Sequence, residues 1–122
     1  MSLSPNIYVE NVQTSIEFYQ QLGFSVVMVV PEDGVNPVWA MMQREEVTIM
    51  FESFSNIEGR LPQIKRTSGG SLLFYVKVKD VEQYFESIKA KVNVIHPLQK
   101  TFYGATEFSI EDCNGFVITF AD

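Results

Sequence analysis

Alternating apolar residues near the N-terminus lead into an apolar stripe with helical spacing. Ile7 and Val9 alternate with more polar neighbours, and Val12, Ile16 and Tyr19 follow at intervals of four and three residues. Alternation is typical of a strand that buries one face, and the wider spacing is typical of a helix with one apolar side. The pattern therefore predicts a β-strand followed by an amphipathic α-helix.

The same pattern recurs 69 residues later, since Val76 corresponds to Ile7 (76 − 7 = 69). The second predicted helix carries its apolar stripe at Val81, Phe85 and Ile88. Each predicted helix begins at a short polar residue, Asn11 or Asp80, whose side chain can accept hydrogen bonds from the first free backbone N–H groups. Two copies of one structural unit are the simplest explanation.

Three further strands are predicted in each copy, at residues 24–30, 38–43 and 47–52 and at residues 92–95, 105–111 and 116–121. Residues 53–70 are rich in Gly, Ser and charged residues, and we interpret them as a linker. The sequence thus predicts an α+β protein with a first βαβββ unit at 1–52 and a second at 71–122. Each unit would place one helix on a four-stranded sheet.

The two faces of each sheet are predicted from the alternation. Matching Trp39 and Met41 with Phe108 and Ile110, again 69 residues apart, assigns all four to the face that packs on the helix. A position of Trp39 on the other face, as a stacking platform for a planar compound, is the alternative. The predicted other face carries Asn6, Tyr8, Ala40, Thr48, Met50, Glu52, Tyr75, Lys77, Glu107, Ser109, Val117 and Thr119. Such a mixed, aromatic-containing face suits a ligand or a partner better than open water.

Charge narrows the classes of partner. The 122 residues include 15 acidic and 9 basic residues, for a net charge of −6, which repels phosphate backbones and argues against nucleic acid. A neutral or cationic small molecule fits better, although the acidity can also serve solubility alone. No apolar run approaches the roughly 20 residues of a membrane span, and Cys113 is the single cysteine, so we expect a cytoplasmic protein without membrane contact or disulfide.

Tyrosine and glutamate side chains are the candidates for ligand contact. Tyr8 and Tyr75 lie on the predicted ligand-facing side of corresponding strands, and Tyr103 precedes Glu107 in the next loop. An aromatic ring offers a flat apolar face with a polar tip, and a carboxylate can bind a cation or act as a base. The alternatives are a dimer interface for the tyrosines and a solvated rim for Glu107 and Glu52. His96, before Pro97, is interpreted as part of an exposed turn.

The paired units, the segment IYVENVQTSIEFYQQLGF and the closing EDCNGFVITF resemble the vicinal oxygen chelate superfamily, and the resemblance covers nearly the whole chain. This superfamily includes glyoxalase I, extradiol dioxygenases, fosfomycin-resistance enzymes and bleomycin-resistance proteins. Its closing turn usually reads Asp-Pro-Asp-Gly, whereas Cys113 replaces the proline here. The resemblance implies that the mixed sheets curl into a cup for a substrate or drug, commonly completed in a homodimer that exchanges units.

Metal-dependent members of this superfamily place His or Glu ligands at four symmetric positions of the cup. The resemblance transfers these positions to Ser4, Met50, Leu73 and Thr119, none of which provides the imidazole or carboxylate that a divalent ion prefers. The sequence is therefore closest to the metal-free, bleomycin-resistance-like branch. We expect neither metal ligands nor catalytic residues nor a cofactor.

The sequence thus predicts a homodimeric, metal-independent protein that sequesters a cationic or aromatic compound, with a role in antibiotic resistance as one possibility. The alternatives are a glyoxalase-type lyase or isomerase and a dimeric scaffold with a degenerate cup. The residues expected to bind the ligand are Tyr8, Met50, Glu52, Leu73, Tyr75, Tyr103, Glu107, Ser109 and Thr119.

Overall fold

The computed structural model describes residues 1–122, which divide into two compact units, Met1–Ser68 and Gly69–Asp122. The elements of unit 1 are β1 (Asn6–Val9), α1 (Val12–Gln21), β2 (Ser25–Val30), β3 (Trp39–Arg44), β4 (Val47–Ser53) and the short α2 (Phe54–Ile57). Its four-stranded sheet has the order β1-β4-β3-β2, with β1 parallel to β4 and antiparallel pairing elsewhere.

Unit 2 repeats this arrangement. Its elements are β5 (Leu73–Lys77), α3 (Val81–Ile88), β6 (Asn93–Lys100), β7 (Thr106–Glu111) and β8 (Val117–Ala121). The sheet has the order β5-β8-β7-β6, again with one parallel pair, β5 with β8. The predicted α+β class and the tandem βαβββ units are therefore confirmed, as two open, mixed sheets.

In unit 1, α1 packs on the sheet through the predicted apolar stripe. Val12, Ile16 and Tyr19 are all buried. The centre of the Tyr19 ring lies 4.9 Å from the ring centre of Phe51 on β4 and 5.6 Å from that of Phe24. Burying such large rings supplies most of the free energy that holds one helix on a small sheet.

The core of unit 2 is a cluster of aromatic rings between α3 and its sheet. Phe108 on β7 lies 5.2 Å from Phe120 on β8 and 4.9 Å from Phe85 on α3, measured between ring centres. Tyr84 on α3 packs edge-on against Phe120 at 5.0 Å. These contacts explain why the helical stripe and the alternating strands must face each other.

The assignment of Trp39 and Met41 to the helix-packing face is wrong. Ala40 and Met42 are fully buried there instead, while Trp39 and Met41 lie on the other face. The cause is turn length: Arg44 pairs with Val47 across a two-residue turn, whereas the β7–β8 turn spans residues 112–116. Because the turn lengths differ, each residue of β3 corresponds to the residue of β7 that lies 68 positions later, and not 69 as predicted. Side chains alternate between the two faces of a strand, so this difference of one residue exchanges the faces.

Two more predictions differ from the structure. His96 and Pro97 lie within β6, which extends to Lys100, rather than in a turn. A proline is tolerated there because β6 is an edge strand of its sheet and its register is irregular on both sides of His96. The predicted linker also contains secondary structure, since β4 continues to Ser53 and α2 follows directly.

Only one of the two predicted helix caps forms. The Asn11 side chain accepts a hydrogen bond of 3.0 Å from the backbone N–H of Thr14. Asp80, which the sequence also predicts as a cap, has a left-handed backbone (φ 52°) and makes no such bond. The helix α3 does begin directly after Asp80, as predicted, but the predicted side-chain bond does not form, because a cap must be extended for its side chain to reach the first turn.

We expect Asn11→Ala to lower the free energy of unfolding by about 1 kcal/mol, since it leaves an N–H of the first turn of α1 without a partner. Asp80→Gly should cost no more than about 0.3 kcal/mol, because no cap is lost and glycine readily adopts positive φ. Urea denaturation followed by circular dichroism would measure both. Equal losses in the two variants would contradict the assigned cap geometry.

Candidate functional site

Three predicted ligand-binding residues meet on the face of the unit 2 sheet that lies opposite α3, which we call the open face of unit 2. The hydroxyl group of Tyr75 donates a hydrogen bond of 3.1 Å to Oε2 of Glu107. The hydroxyl group of Tyr103 lies 3.0 Å from Oε1 and 2.9 Å from Oε2 of the same carboxylate. We name these three residues the Tyr–Glu–Tyr cluster.

Strand register and one turn bring the cluster together. Tyr75 on β5 is opposite Thr119 on β8, and Glu107 on β7 is opposite Ala121, two residues further along β8 and on the same face. A long tyrosine side chain spans this diagonal. Tyr103 comes from the β6–β7 turn, where Gly104 reverses the chain with φ 87°, a conformation that favours glycine.

Glu107 perturbs the titration of its neighbour. Partial desolvation, followed by the hydrogen bond to Glu107 and the negative charge of that carboxylate, raises the pKa of Tyr75 to about 12. The Tyr75 side chain remains about half exposed, with 49% of its surface accessible. Because half of the side chain is already in contact with water, a substitution can change its burial only a little. Two of the causes of the raised pKa come from the Glu107 carboxylate, and a substitution of Glu107 would remove both.

We expect Glu107→Gln to lower the pKa of Tyr75 toward its ordinary value of 10.0, since the amide carries no charge. In the unchanged protein, the protonated phenol is favoured by folding. Its contribution to stability is complete below about pH 10 and is lost as the pH rises through about 12. A ¹³C NMR titration of tyrosine Cζ atoms would follow this. A value for Tyr75 that is the same in both proteins would contradict the assigned contact.

Ser109 and Thr119, also predicted to bind the ligand, lie on the open face but are almost fully buried. Their hydroxyl groups are 2.8 Å apart and hydrogen bond to each other. One hydroxyl donates and the other accepts, so each has a partner, and their burial restricts the access of an additional molecule. Leu73, in contrast, is half exposed on β5 and can offer apolar surface.

In unit 1, neighbouring side chains hold the carboxylate of Glu52 through hydrogen bonds. Its Oε1 accepts a hydrogen bond of 3.1 Å from Asn6, and its Oε2 accepts one of 2.8 Å from Asn56. The Arg60 guanidinium lies 3.9 Å from Oε2, and only 13% of the Glu52 side chain is exposed. Tyr8 lies beside this group, with its hydroxyl oxygen 3.4 Å from Nδ2 of Asn6. Glu52 is thus less available to a ligand than Glu107.

The preferred sequence assignment placed two residues on the wrong side, since Trp39 and Met41 lie on the face of the unit 1 sheet opposite α1, which we call the open face of unit 1. For Trp39, the alternative considered from the sequence is therefore the correct one. Trp39 is opposite Glu52, and Met41 is opposite Met50, so both share the face of these predicted ligand-binding residues. Both are partly exposed. The two-residue turn between β3 and β4 is the feature that would have predicted their face. A turn of even length pairs odd-numbered residues of one strand with even-numbered residues of the next.

The positions where metal-dependent relatives carry ligands do not fit a divalent ion. Met50 and Leu73 offer no oxygen or nitrogen donor from their side chains, and the Thr119 hydroxyl is bonded to Ser109. No group of three or more His, Cys, Asp or Glu side chains converges anywhere in the chain. Divalent metals in proteins depend on such donors, and these positions do not supply them.

Two shallow depressions lie away from the open faces. One, of about 580 Å³, surrounds the start of α1 and includes Asn11, Gly34 and Ser53. The other, of about 500 Å³, surrounds the start of α3 and includes Asp80 and Asp122. Neither contains a residue predicted to bind the ligand. We therefore identify the candidate site by the hydrogen-bonded Tyr–Glu–Tyr cluster on the open face of unit 2, and not by either depression.

Several solved structures share this fold at low sequence identity. TioX from Micromonospora sp. ML1 superposes with a TM-score of 0.78 at 19% identity, covering 99% of this chain and 97% of that one. A bleomycin resistance determinant encoded on the transposon Tn5 gives 0.72 at 16% identity, covering 100% and 97%. A bleomycin-binding protein complexed with bleomycin gives 0.67 at 16%, covering 100% and 98%.

Family membership follows from the sequence profile. Among curated protein sequences, none is significantly similar to this chain. The profile of the Glyoxalase/Bleomycin resistance protein/Dioxygenase superfamily, however, matches residues 3–120, which is almost the full length. Together with the paired βαβββ units, this match shows that the chain belongs to the Glyoxalase/Bleomycin resistance protein/Dioxygenase superfamily.

Proposed function

We propose that this protein binds a small organic compound on the open face of unit 2 without a divalent metal ion. The observation that carries the proposal is the Tyr–Glu–Tyr cluster, in which two tyrosine hydroxyl groups hold one carboxylate in a fixed orientation. A carboxylate oriented in advance loses little conformational entropy when a ligand arrives. Such a group suits reversible binding.

A ligand with a protonated amine or guanidinium group fits this cluster best. The two hydroxyl groups occupy part of the hydrogen-bonding capacity of Glu107, and a carboxylate has about four lone-pair sites in total. The exposed rings of Tyr75 and Tyr103 can contact the apolar or aromatic part of the ligand and attract its charge. The net charge of −6 also favours the approach of a cation.

The family supports the same class of function. One protein with this fold has been solved as a bleomycin-binding protein in complex with bleomycin. We propose that the present chain sequesters its ligand, as a cytoplasmic homodimer in which Leu73, Ser109 and Thr119 on the open face of unit 2 contribute to the surroundings of the ligand. None of the helices combines the length and apolar character required to cross a membrane.

A thermal-shift screen followed by calorimetry tests the proposal. Glycopeptides and aromatic compounds would be compared as matched pairs that differ only in a protonated amine, with and without a chelator. A cationic member present at 100 times its Kd should stabilise the protein by about 2.7 kcal/mol, with or without the chelator. Binding that requires a stoichiometric divalent metal, or no binding by any cationic compound, would overturn the proposal.

A further inference from the structure

Three methionines form a continuous row across the open face of unit 1. Met28 on β2 is opposite Met41 on β3, and Met41 is opposite Met50 on β4. Residues directly opposite on neighbouring strands have Cβ atoms about 4.5 to 5.5 Å apart and project from the same face. We name Met28, Met41 and Met50 the methionine row.

We propose that the methionine row binds a soft monovalent cation of the copper(I) class. Thioether sulfur is a neutral, polarisable donor that selects copper(I) over the hard divalent ions, which need oxygen or imidazole. A methionine side chain has three rotatable bonds, so sulfur atoms from adjacent strands can converge on one ion. The same open face that is unsuited to divalent ions thus carries a donor set for a soft ion.

The methionine row is accessible. Met28 has 54% of its surface exposed, and Met41 and Met50 are partly exposed. An ion can therefore reach the sulfur atoms without unfolding the sheet. Met42, the remaining methionine in these strands, is fully buried on the opposite face and belongs to the packing with α1.

An unpartnered oxygen at the end of the row provides a second, independent observation. Asn6 on β1 is opposite Met50, so it continues the row by one strand. The Nδ2 group of Asn6 donates a hydrogen bond to Glu52, but the Oδ1 atom is buried and has no hydrogen-bond partner. A buried amide oxygen without a donor leaves a local negative potential, which a cation bound near Met50 would relieve.

Trp39 lies beside the row and would report on it. It is two residues before Met41 on β3 and therefore on the same face. A cation near an indole ring is attracted by the ring's electron density. Trp39 is the single tryptophan of the chain, so any change in indole fluorescence arises from this position.

This site goes beyond the proposed function and does not depend on it. All its residues belong to unit 1, whereas the Tyr–Glu–Tyr cluster lies in unit 2. Loss of the soft-cation site would leave Glu107 unchanged, and loss of the Glu107 carboxylate would leave the thioethers unchanged. The two proposals can therefore fail separately.

Silver(I) is the probe, used on the Cys113→Ser protein because the exposed Cys113 thiol would compete for it. With ¹³C-methyl methionine, we expect the ε-methyl signals of Met28, Met41 and Met50 to shift together and reach their end point at one equivalent. Trp39 fluorescence should change over the same range. A shift confined to the Met1 signal, or no shift of the three signals at one equivalent, would overturn the proposal.

Paired substitutions on β3 separate binding from folding. Met41→Leu should weaken silver(I) binding about tenfold or more by removing the central donor. Met42→Leu makes the same chemical change one residue away on the other face and should leave the affinity unchanged. Circular dichroism would verify the fold of both, and an anaerobic competition with a copper(I) chelator would extend the comparison to copper(I). Equal affinities of the two variants would overturn the proposal.

Discussion

Replacing Glu107 by Gln is expected to weaken the binding of a cationic ligand by about 10 to 100-fold. A hydrogen bond to a charged partner contributes about 1.5 to 3 kcal/mol, and the amide retains the size of the side chain while losing its charge. Calorimetry with the best compound from the screen would measure the loss. The same substitution should have little effect on a neutral analogue of that compound, since it lacks the charge that the carboxylate recognises.

Glu111→Gln is the matched control. Glu111 lies on the same strand as Glu107 and is exposed, so this variant removes the same net charge without touching the Tyr–Glu–Tyr cluster. If both variants lose affinity equally, general electrostatic attraction explains the binding and the cluster does not. Tyr75→Ala provides a further comparison, because it removes both a ring and a hydrogen-bond donor and should also weaken binding while the fold is retained.

Replacing Phe108 by Ala is expected to destabilise the protein by about 3 to 5 kcal/mol. Phe108 is almost completely buried and packs against Phe85, Phe120 and Tyr84. Its removal leaves a cavity between α3 and the sheet that these large rings cannot fill. Because small domains are stable by only about 5 to 15 kcal/mol, urea denaturation should show a large decrease in the midpoint.

Phe102→Ala removes an equally large ring from a position that is 99% exposed, in the β6–β7 turn. It should change stability by no more than about 0.5 kcal/mol. Phe102 neighbours Tyr103, so ligand affinity would be measured separately in this variant. A similar loss of stability in the two phenylalanine variants would contradict the assigned core of unit 2.

The sequence predicted the side of the sheet on which two residues of the candidate site lie. Tyr75 and Glu107 were both predicted on the ligand-facing side from the alternation of side chains along their strands, and both lie on the open face of unit 2. What alternation did not predict was their mutual contact, or the contact of Tyr103 with the same carboxylate. Those contacts depend on strand order and on the path of a turn, and neither is a local property of the sequence.

The sequence by itself determined the repeated βαβββ plan and the apolar stripes of α1 and α3, because these depend on the spacing of apolar residues along the chain. It also determined the family, through the resemblance of its motifs and the profile that matches residues 3–120. Tertiary structure alone decided that Trp39 and Met41 face away from α1, since one two-residue turn changes which residues of β3 are opposite those of β4. It likewise decided that Glu52 is held by Asn6 and Asn56, while Glu107 is presented between two exposed tyrosines. The physical reason is that the face of a strand depends on its register with its neighbours, and the environment of a carboxylate depends on residues distant in sequence.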